Sequence, residues 1–336
     1  MKRFFCTCGQ EIFFENTHCN RCGSLLGFDP ESLELHAIEA LPDSRARTIS
    51  GKTYRRCAHH QHDMQCNWLM ADDESQIQCI SCRMTRVIPD QNLLRNVRRW
   101  SVLESSKKRM LHGVLSLGLP VQQRNGQPLE FRFLEDKWSN PEVQDEQVLS
   151  GHLNGVITLN AAEADSSYRE ATREAMNEPY RTLLGHFRHE MGHFYWDRLI
   201  ANSPSHAAFR KLFGNETTDY QAALQHYYQY GPRPDWQEFF ISAYASAHPL
   251  EDWAETWAHY LLMQETLQTA VSFDMITHPE NETDFQEWLS EWSQLVVVLN
   301  ALNRSIGNAD AYPFVISVPA QRKLHLIHQL IHQQNG

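Results

Sequence analysis

The run Arg188-His189-Glu190-Met191-Gly192-His193 carries two imidazoles four residues apart with a carboxylate between them. On a helix, positions i and i+4 share a face, so both rings can reach one ion. Zinc is the ion such a pair suits. Glu190 then stands beside a fourth, solvent-filled position, where it can take a proton from water. The spacing points to hydrolytic chemistry, with His189 and His193 as ligands and Glu190 as general base. The competing reading is an ordinary helix carrying two solvated histidines.

The surroundings favour a packed helix. Asn177 is a candidate cap, followed by Glu178 and Pro179, both favoured in a first turn. Leu184, Phe187, Met191 and Phe194 recur at helical spacing and make one apolar face, off which His189, Glu190 and His193 fall. Gly192 is a poor helix former, which implies room needed beside the metal or a neighbouring strand.

A third ligand is expected downstream, in Tyr244-Ala245-Ser246-Ala247-His248-Pro249-Leu250-Glu251-Asp252-Trp253-Ala254-Glu255-Thr256-Trp257-Ala258-His259-Tyr260. This reads as a loop entering a helix near Pro249, with Trp253, Ala254, Trp257, Ala258 and Leu261 inward. Glu251 and Glu255 share another stripe. Two carboxylates there would ordinarily be a solvated edge; beside a zinc, Glu251 becomes the ligand and Glu255 an acceptor orienting a ligand histidine. His259 and Asp252 compete for roles on that helix.

At these residues the chain resembles the gluzincin metallopeptidases, and locally the catalytic domain of anthrax lethal factor. The shared pattern E-x-x-A-E is matched by Glu251, Ala254 and Glu255. The resemblance implies Glu251 as ligand. It also implies Tyr244, seven residues earlier, as donor to the oxyanion of a tetrahedral intermediate, a role amide hydrolysis requires. A core tyrosine with a satisfied hydroxyl is the alternative. His248 is a lesser candidate for the same role. A wider likeness rests on Tyr54-Arg55-Arg56-Cys57, Cys66-Asn67-Trp68, His248-Pro249-Leu250-Glu251-Asp252-Trp253-Ala254-Glu255 and Ala311-Tyr312-Pro313-Phe314. Over nearly its full length the chain looks like a bacterial family of zinc-binding metallopeptidases with an N-terminal zinc ribbon, which supports architecture and reaction class more than substrate.

All eight cysteines fall within the first 82 residues, in two sets of four. Cys6, Cys8, Cys19 and Cys22 form tight pairs on two turns, each followed by a glycine (Gly9, Gly23), as in a zinc ribbon. Cys57, Cys66, Cys79 and Cys82 form a looser set in which His59, His60 or His62 could replace a cysteine. Redox-active thiols are the weaker reading, because neither C-x-x-C opens a βαβ unit. Iron could stand in for zinc in either site. The expected inventory is three Zn2+, one catalytic and two structural.

With 336 residues and 42% apolar composition there is room for a catalytic domain plus small modules. No run of 18 or more apolar residues occurs, so no membrane contact is expected. The residues before Cys6 do not make a signal peptide, and the thiol-rich start fits the cytoplasm. The expected organisation is α+β: a zinc ribbon over 1–30, a connector near 31–50 containing Pro42, Asp43 and Ser44, and a second zinc module over 51–92. A mainly helical zincin-like (gluzincin) catalytic domain with a small sheet follows over 93–336. Leu94, Val97, Trp100 and Leu103 open a helix whose polar side is basic, with eight Lys and Arg in 83–110. Contact with nucleic acid or protein through this segment and the zinc modules is one reading; a face pairing with acidic parts of the same chain is the other.

Phe131–Leu134 and Val156–Asn160 read as strands. The latter is placed to form the rim of the cleft and pair with an extended peptide or protein substrate, unless it is simply interior. Residues 202–243, between the two ligand helices, could shape a lid or pocket. Phe285 to Asn303 and Pro319 to His332 look helical. Residues 140–300 hold 24 Asp and Glu against eight Lys and Arg, a balance that disfavours nucleic acid at the site and favours cationic peptide segments. A reading from a different class remains: a zinc-ribbon regulator or adaptor whose zincin domain binds a protein or nucleic-acid partner with little turnover.

Overall fold

The computed structural model describes all residues except 1, 62–64, 138–139, 142, 145–147, 278–283 and 334–336. The chain opens on a two-stranded ribbon, β1 (Phe4–Phe5) and β2 (Glu11–Ile12). Next come β3 (Leu25–Asp29), β4 (Glu34–Ala40), β5 (Arg45–Thr48), β6 (Thr53–Arg56) and β7 (Leu69–Ala71), an antiparallel five-stranded sheet in sequence order. The segment expected to be a connector is therefore part of a sheet. Glu34 to Ala37 alternates, burying Leu35 and Ala37, and Asp43 and Ser44 take left-handed backbone (φ 57° and 58°) in the turn from β4 to β5.

A short helix α1 (Ile80–Met84) leads directly into β8 (Thr85–Val87), and α2 (Leu94–Ser116) follows. Trp100 and Leu103 are buried on α2 as expected, but Leu94 is exposed. The basic residues of 83–110 are largely engaged within the chain. Arg83 pairs with Glu74, Arg86 with Glu130, Arg99 with Asp165 and Arg109 with Glu15. Lys107, wholly buried, donates to Ser81 O at 2.8 Å and pairs with Glu104.

The second sheet is mixed. After β9 (Glu130–Leu134) come β10 (Gly151–Leu153) and β11 (Val156–Asn160), in the order β10-β11-β9-β8. Strands β8, β9 and β11 run parallel, and β10 is antiparallel to β11 at one edge. The strand expected as the cleft rim, Val156–Asn160, is thus interior, with neighbours on both sides, and the edge belongs to β10.

The rest is helical: α3 (Ser166–Ala175), α4 (Leu183–Tyr195), α5 (His206–Phe213), α6 (Tyr220–Tyr230), α7 (Trp236–Phe239), α8 (Pro249–Ser272), α9 (Phe285–Ser305) and α10 (Val318–Gln333). Helix α4 begins later than its sequence implies. Asn177 adopts φ 51° just after α3, the left-handed turn that stops a helix. Thr182 is the cap instead, its Oγ1 accepting from Gly185 N at 3.0 Å. Phe187, Met191 and Phe194 are buried as expected, while Leu184 is only partly covered. Among the described residues no helix is long and apolar enough to cross a membrane.

Helices α4 and α8 meet at Gly192. A Cβ there would lie 2.8 Å from Ala254 Cα and 3.1 Å from Ala254 O, so the glycine serves a neighbouring helix rather than a strand or the metal. Trp253 Nε1 donates to Gly192 O at 2.8 Å across the same contact. Gly192→Ala forces one backbone off another and should cost about 1–3 kcal/mol, read as a lower urea midpoint with an unchanged denaturant slope.

On α2, His112 is buried against Phe14 and Phe28, with ring centroids 5.1 and 5.7 Å away. Burial pushes its pKa down to about 4, below the roughly 6.5 of an unfolded histidine. Between those values the unfolded chain binds the extra proton. Stability from this site is complete above about pH 6.5 and falls as the pH drops toward 4, by at most about 3 kcal/mol. His112→Leu should therefore move the acid-unfolding midpoint to lower pH, as followed by circular dichroism.

Candidate metal centre

Helix α4 presents His189 and His193 on one face, and α8 presents Glu251 opposite them. The two Nε2 atoms lie 3.2 Å apart, and Glu251 approaches them at 3.1 Å (Oε2 to His189) and 3.5 Å (Oε1 to His193). Donors about 2.05 Å from a tetrahedral zinc are about 3.3 Å from one another, so the two imidazole nitrogens and the Glu251 carboxylate, which meets each through a different oxygen, are close enough to share one ion. The electrostatics agree. Burial would lower the pKa of His189, yet its contacts with Glu251 and Glu255 hold it well above the usual range. Burial would raise Glu251, yet the charges of His193 and His189 hold it well below. Such a field attracts positive charge, and a divalent cation answers it as well as protons do.

The surrounding contacts fix each ligand. His189 Nδ1 donates to Glu255 Oε1 at 2.7 Å, and Ser242 Oγ donates to Glu255 Oε2 at 2.6 Å. Tyr220 OH donates to Glu251 Oε1. The rivals of Glu255 on α8 have other partners. Asp252 is paired with Lys323 of α10 at 2.6 Å, and His259 Nδ1 bonds Tyr312 OH at 2.8 Å. His248 caps α8: its Nδ1 accepts from Leu250 N at 3.1 Å and its Nε2 meets Thr218 O at 3.2 Å. Both nitrogens are committed to backbone, so His248 has no donor left for an oxyanion.

Glu190 lies one residue past His189 and is almost wholly buried. Its Oε1 is 3.3 Å from His186 Nε2, whereas Oε2 has no hydrogen-bond partner. Burial would raise its pKa, but His186 and the two ligand imidazoles lower it. Both residues open onto a cleft of about 350 Å³ whose wall includes Tyr227, Tyr228, Tyr244 and Phe314. The Tyr244 ring sits 6.0 Å from that of His189. Sequence reasoning missed Tyr220, Ser242, Glu163, Arg181 and His186. Only His186 left a signal, standing one helical turn before Glu190.

Both cysteine sets also assemble. Sulfur pairs stand at 3.6 Å (Cys6–Cys22), 3.7 Å (Cys8–Cys19), 3.7 Å (Cys66–Cys79) and 3.6 Å (Cys66–Cys82). A zinc with bonds of about 2.3 Å would set such sulfurs about 3.8 Å apart. Gly9 and Gly23 take positive φ in the turns beside the first set, donating to Cys6 O and Cys19 O. In the second, Cys57, Cys66, Cys79 and Cys82 converge, and His59 and His60 stay outside the cluster, His60 Nδ1 donating to Cys57 O at 2.8 Å. His62 lies outside the described residues.

Comparisons with known proteins place these features. Residues 3–93 match a zinc-ribbon domain model. Uncharacterized proteins of Mycobacterium bovis and Mycobacterium tuberculosis (strain H37Rv) are each 39% identical over 345 residues, covering 98% of this chain and 95% of theirs. No solved structure matches. Residues 96–330, which hold every donor of the His189–His193–Glu251 cluster, match the model described as "Putative zinc-binding metallo-peptidase", and the chain belongs to that family.

Proposed function

We propose that the protein is a zinc-dependent peptidase of the gluzincin type, with His189, His193 and Glu251 as ligands and Glu190 as general base. The reading rests on one observation above others: three donor groups close enough to share one ion, beside a buried carboxylate whose Oε2 has no partner. When bound, zinc would acidify water toward neutrality and polarise a scissile carbonyl. Glu190 takes the proton of the attacking water through Oε2 and passes it to the leaving amine. Glu255 orients His189. Tyr244, at the cleft wall, donates to the oxygen that gains charge. An extended peptide lies along the outer edge of β10, which has a strand partner only on its β11 side among the described residues, and hydrogen-bonds as an added strand.

The two cysteine sets are structural in this reading, and the His-Glu centre is the catalytic one. Purified protein should then carry three zinc ions per chain by inductively coupled plasma mass spectrometry, and the double replacement of His189 and His193 by Ala should carry two. Glu190→Gln should keep all three yet lose at least 10²-fold in peptide hydrolysis. A Glu190→Gln protein as active as wild type overturns the mechanism.

A further inference from the structure

The contacts of Glu190 run away from the metal as well as toward it. His186 lies four residues earlier on α4, hence one turn away on the same face, and stands between two carboxylates. Its Nε2 is 3.3 Å from Glu190 Oε1, and its Nδ1 is 3.6 Å from Glu163 Oε1. Arg181 Nη2 in turn donates to Glu163 Oε1 at 2.8 Å. The line Arg181–Glu163–His186–Glu190 alternates in sign, two cations against two anions. Side-chain exposure falls to 17% at His186 and 4% at both Glu163 and Glu190, so these charges act through little water.

We infer, on the basis of the hydrolytic reading above, that His186 is a positioning residue: it holds Glu190 by one oxygen so that the other faces the attacking water. The geometry requires the division of labour. A carboxylate terminus turns in a broad, two-fold well about its last torsion, and α4 alone does not choose between the two oxygens. His186 engages Oε1 and leaves Oε2, the atom without a partner. For that contact to attract, Nε2 must carry a proton. Burial alone would lower the pKa of His186, but Glu163 and Glu190 raise it to about 9. An imidazolium donates from both nitrogens and accepts at neither, so its contact with Glu190 has one polarity. Arg181 completes the device by pairing with the same carboxylate of Glu163, whose own pKa His186 and Arg181 together lower to about 2 despite its burial. The histidine is thereby clamped from behind by a fixed anion. Glu163 joins the line from the 3₁₀ turn at Ala161–Ala164 that follows β11, which ties the orientation of the base to the sheet as well as to its own helix.

Two variants and one readout independent of turnover test this. In full-length protein labelled with 15N-histidine, His186 should show two protonated ring nitrogens at pH 7.5, assigned by loss of the signal in His186→Gln. That signature should revert to a neutral ring in Glu163→Gln. With an unstructured casein-derived peptide as substrate, His186→Leu should keep zinc content and KM within twofold of wild type while kcat falls about 10²-fold, the scale of a misplaced catalytic group. His186→Gln, which retains an N–H donor, should recover at least a tenth of wild-type kcat. A neutral His186 ring in wild type overturns the inference, as does wild-type kcat in zinc-replete His186→Leu, or an equal loss in the Leu and Gln variants. Absence of hydrolysis by wild type would instead sink the peptidase reading, and the nitrogen signature would still decide whether His186 and Glu190 are coupled.

Discussion

The separation of α4 and α8 at Gly192 sets every distance in the metal centre. The ligands sit on two helices 58 residues apart in sequence, His193 on one and Glu251 on the other, and side chains of such length converge on one ion only when the backbones are close. With hydrogen in place of a methyl, the α4 backbone comes within contact of Ala254. Trp253 reinforces the approach with a hydrogen bond to the same glycine's carbonyl, and Trp257 stacks on Tyr195 at 4.6 Å. The residues that hold the helices together thus alternate along α8 with those that face the metal. Glu251 and Glu255 point to one side, Trp253 and Trp257 to the other. The helix is at once a ligand carrier and a wedge.

Burying so many carboxylates near one point would be costly if they were left unpaired. Each is engaged by a different group: Glu255 by Ser242 and His189, Glu251 by Tyr220, Asp252 by Lys323, and Glu163 by Arg181. Among these carboxylates and Glu190, four buried oxygens have no hydrogen-bond partner: Oε2 of Glu251, Oε2 of Glu190, Oε2 of Glu163 and Oδ1 of Asp252. The first two are the atoms beside which a cation and a water would sit in the hydrolytic reading.

Legibility from sequence followed the range of each interaction. The His189–His193 pair and the Glu251–Glu255 pair could be read because fixed helical spacings carry them, and the first cysteine set because tight turns do. The connector reading of 31–50 failed for a local reason: Pro42, Asp43 and Ser44 looked like a linker, though the alternation from Glu34 to Ala37 on their flank marked a strand. The choice of Asn177 as a cap failed because a residue that caps well also stops a preceding helix well, and α3 ended there. Which strand lay at the edge was not readable at all, since it depends on the pairing of β10, three residues long, with β11. Tyr220 and Ser242 were beyond reach for the same reason: they meet α8 across 31 and 13 residues of chain with no periodic pattern linking them.

The second cysteine set is built into the mixed sheet rather than hung beside it. Cys79 caps α1, accepting from Cys82 N, and the helix it opens runs without a break into β8, which pairs in parallel with β9. Only two residues separate a sulfur of the second cysteine set from the edge of the sheet that carries β11. On the other flank that set faces Lys108 of α2. Burial would lower the pKa of Lys108, but the charges of Cys66, Cys82 and Cys79 raise it. Four thiolates around a divalent ion carry a net charge of about −2, which is expensive among fully buried cysteines unless a cation stands close. The lysine answers that charge from a helix whose other residues, Arg99 and Lys107, tie to Asp165 and to Ser81. A structural ion in this module would therefore organise α1, β8 and α2 together, and through β8 and β9 the strand leading to Glu163, the carboxylate that backs His186.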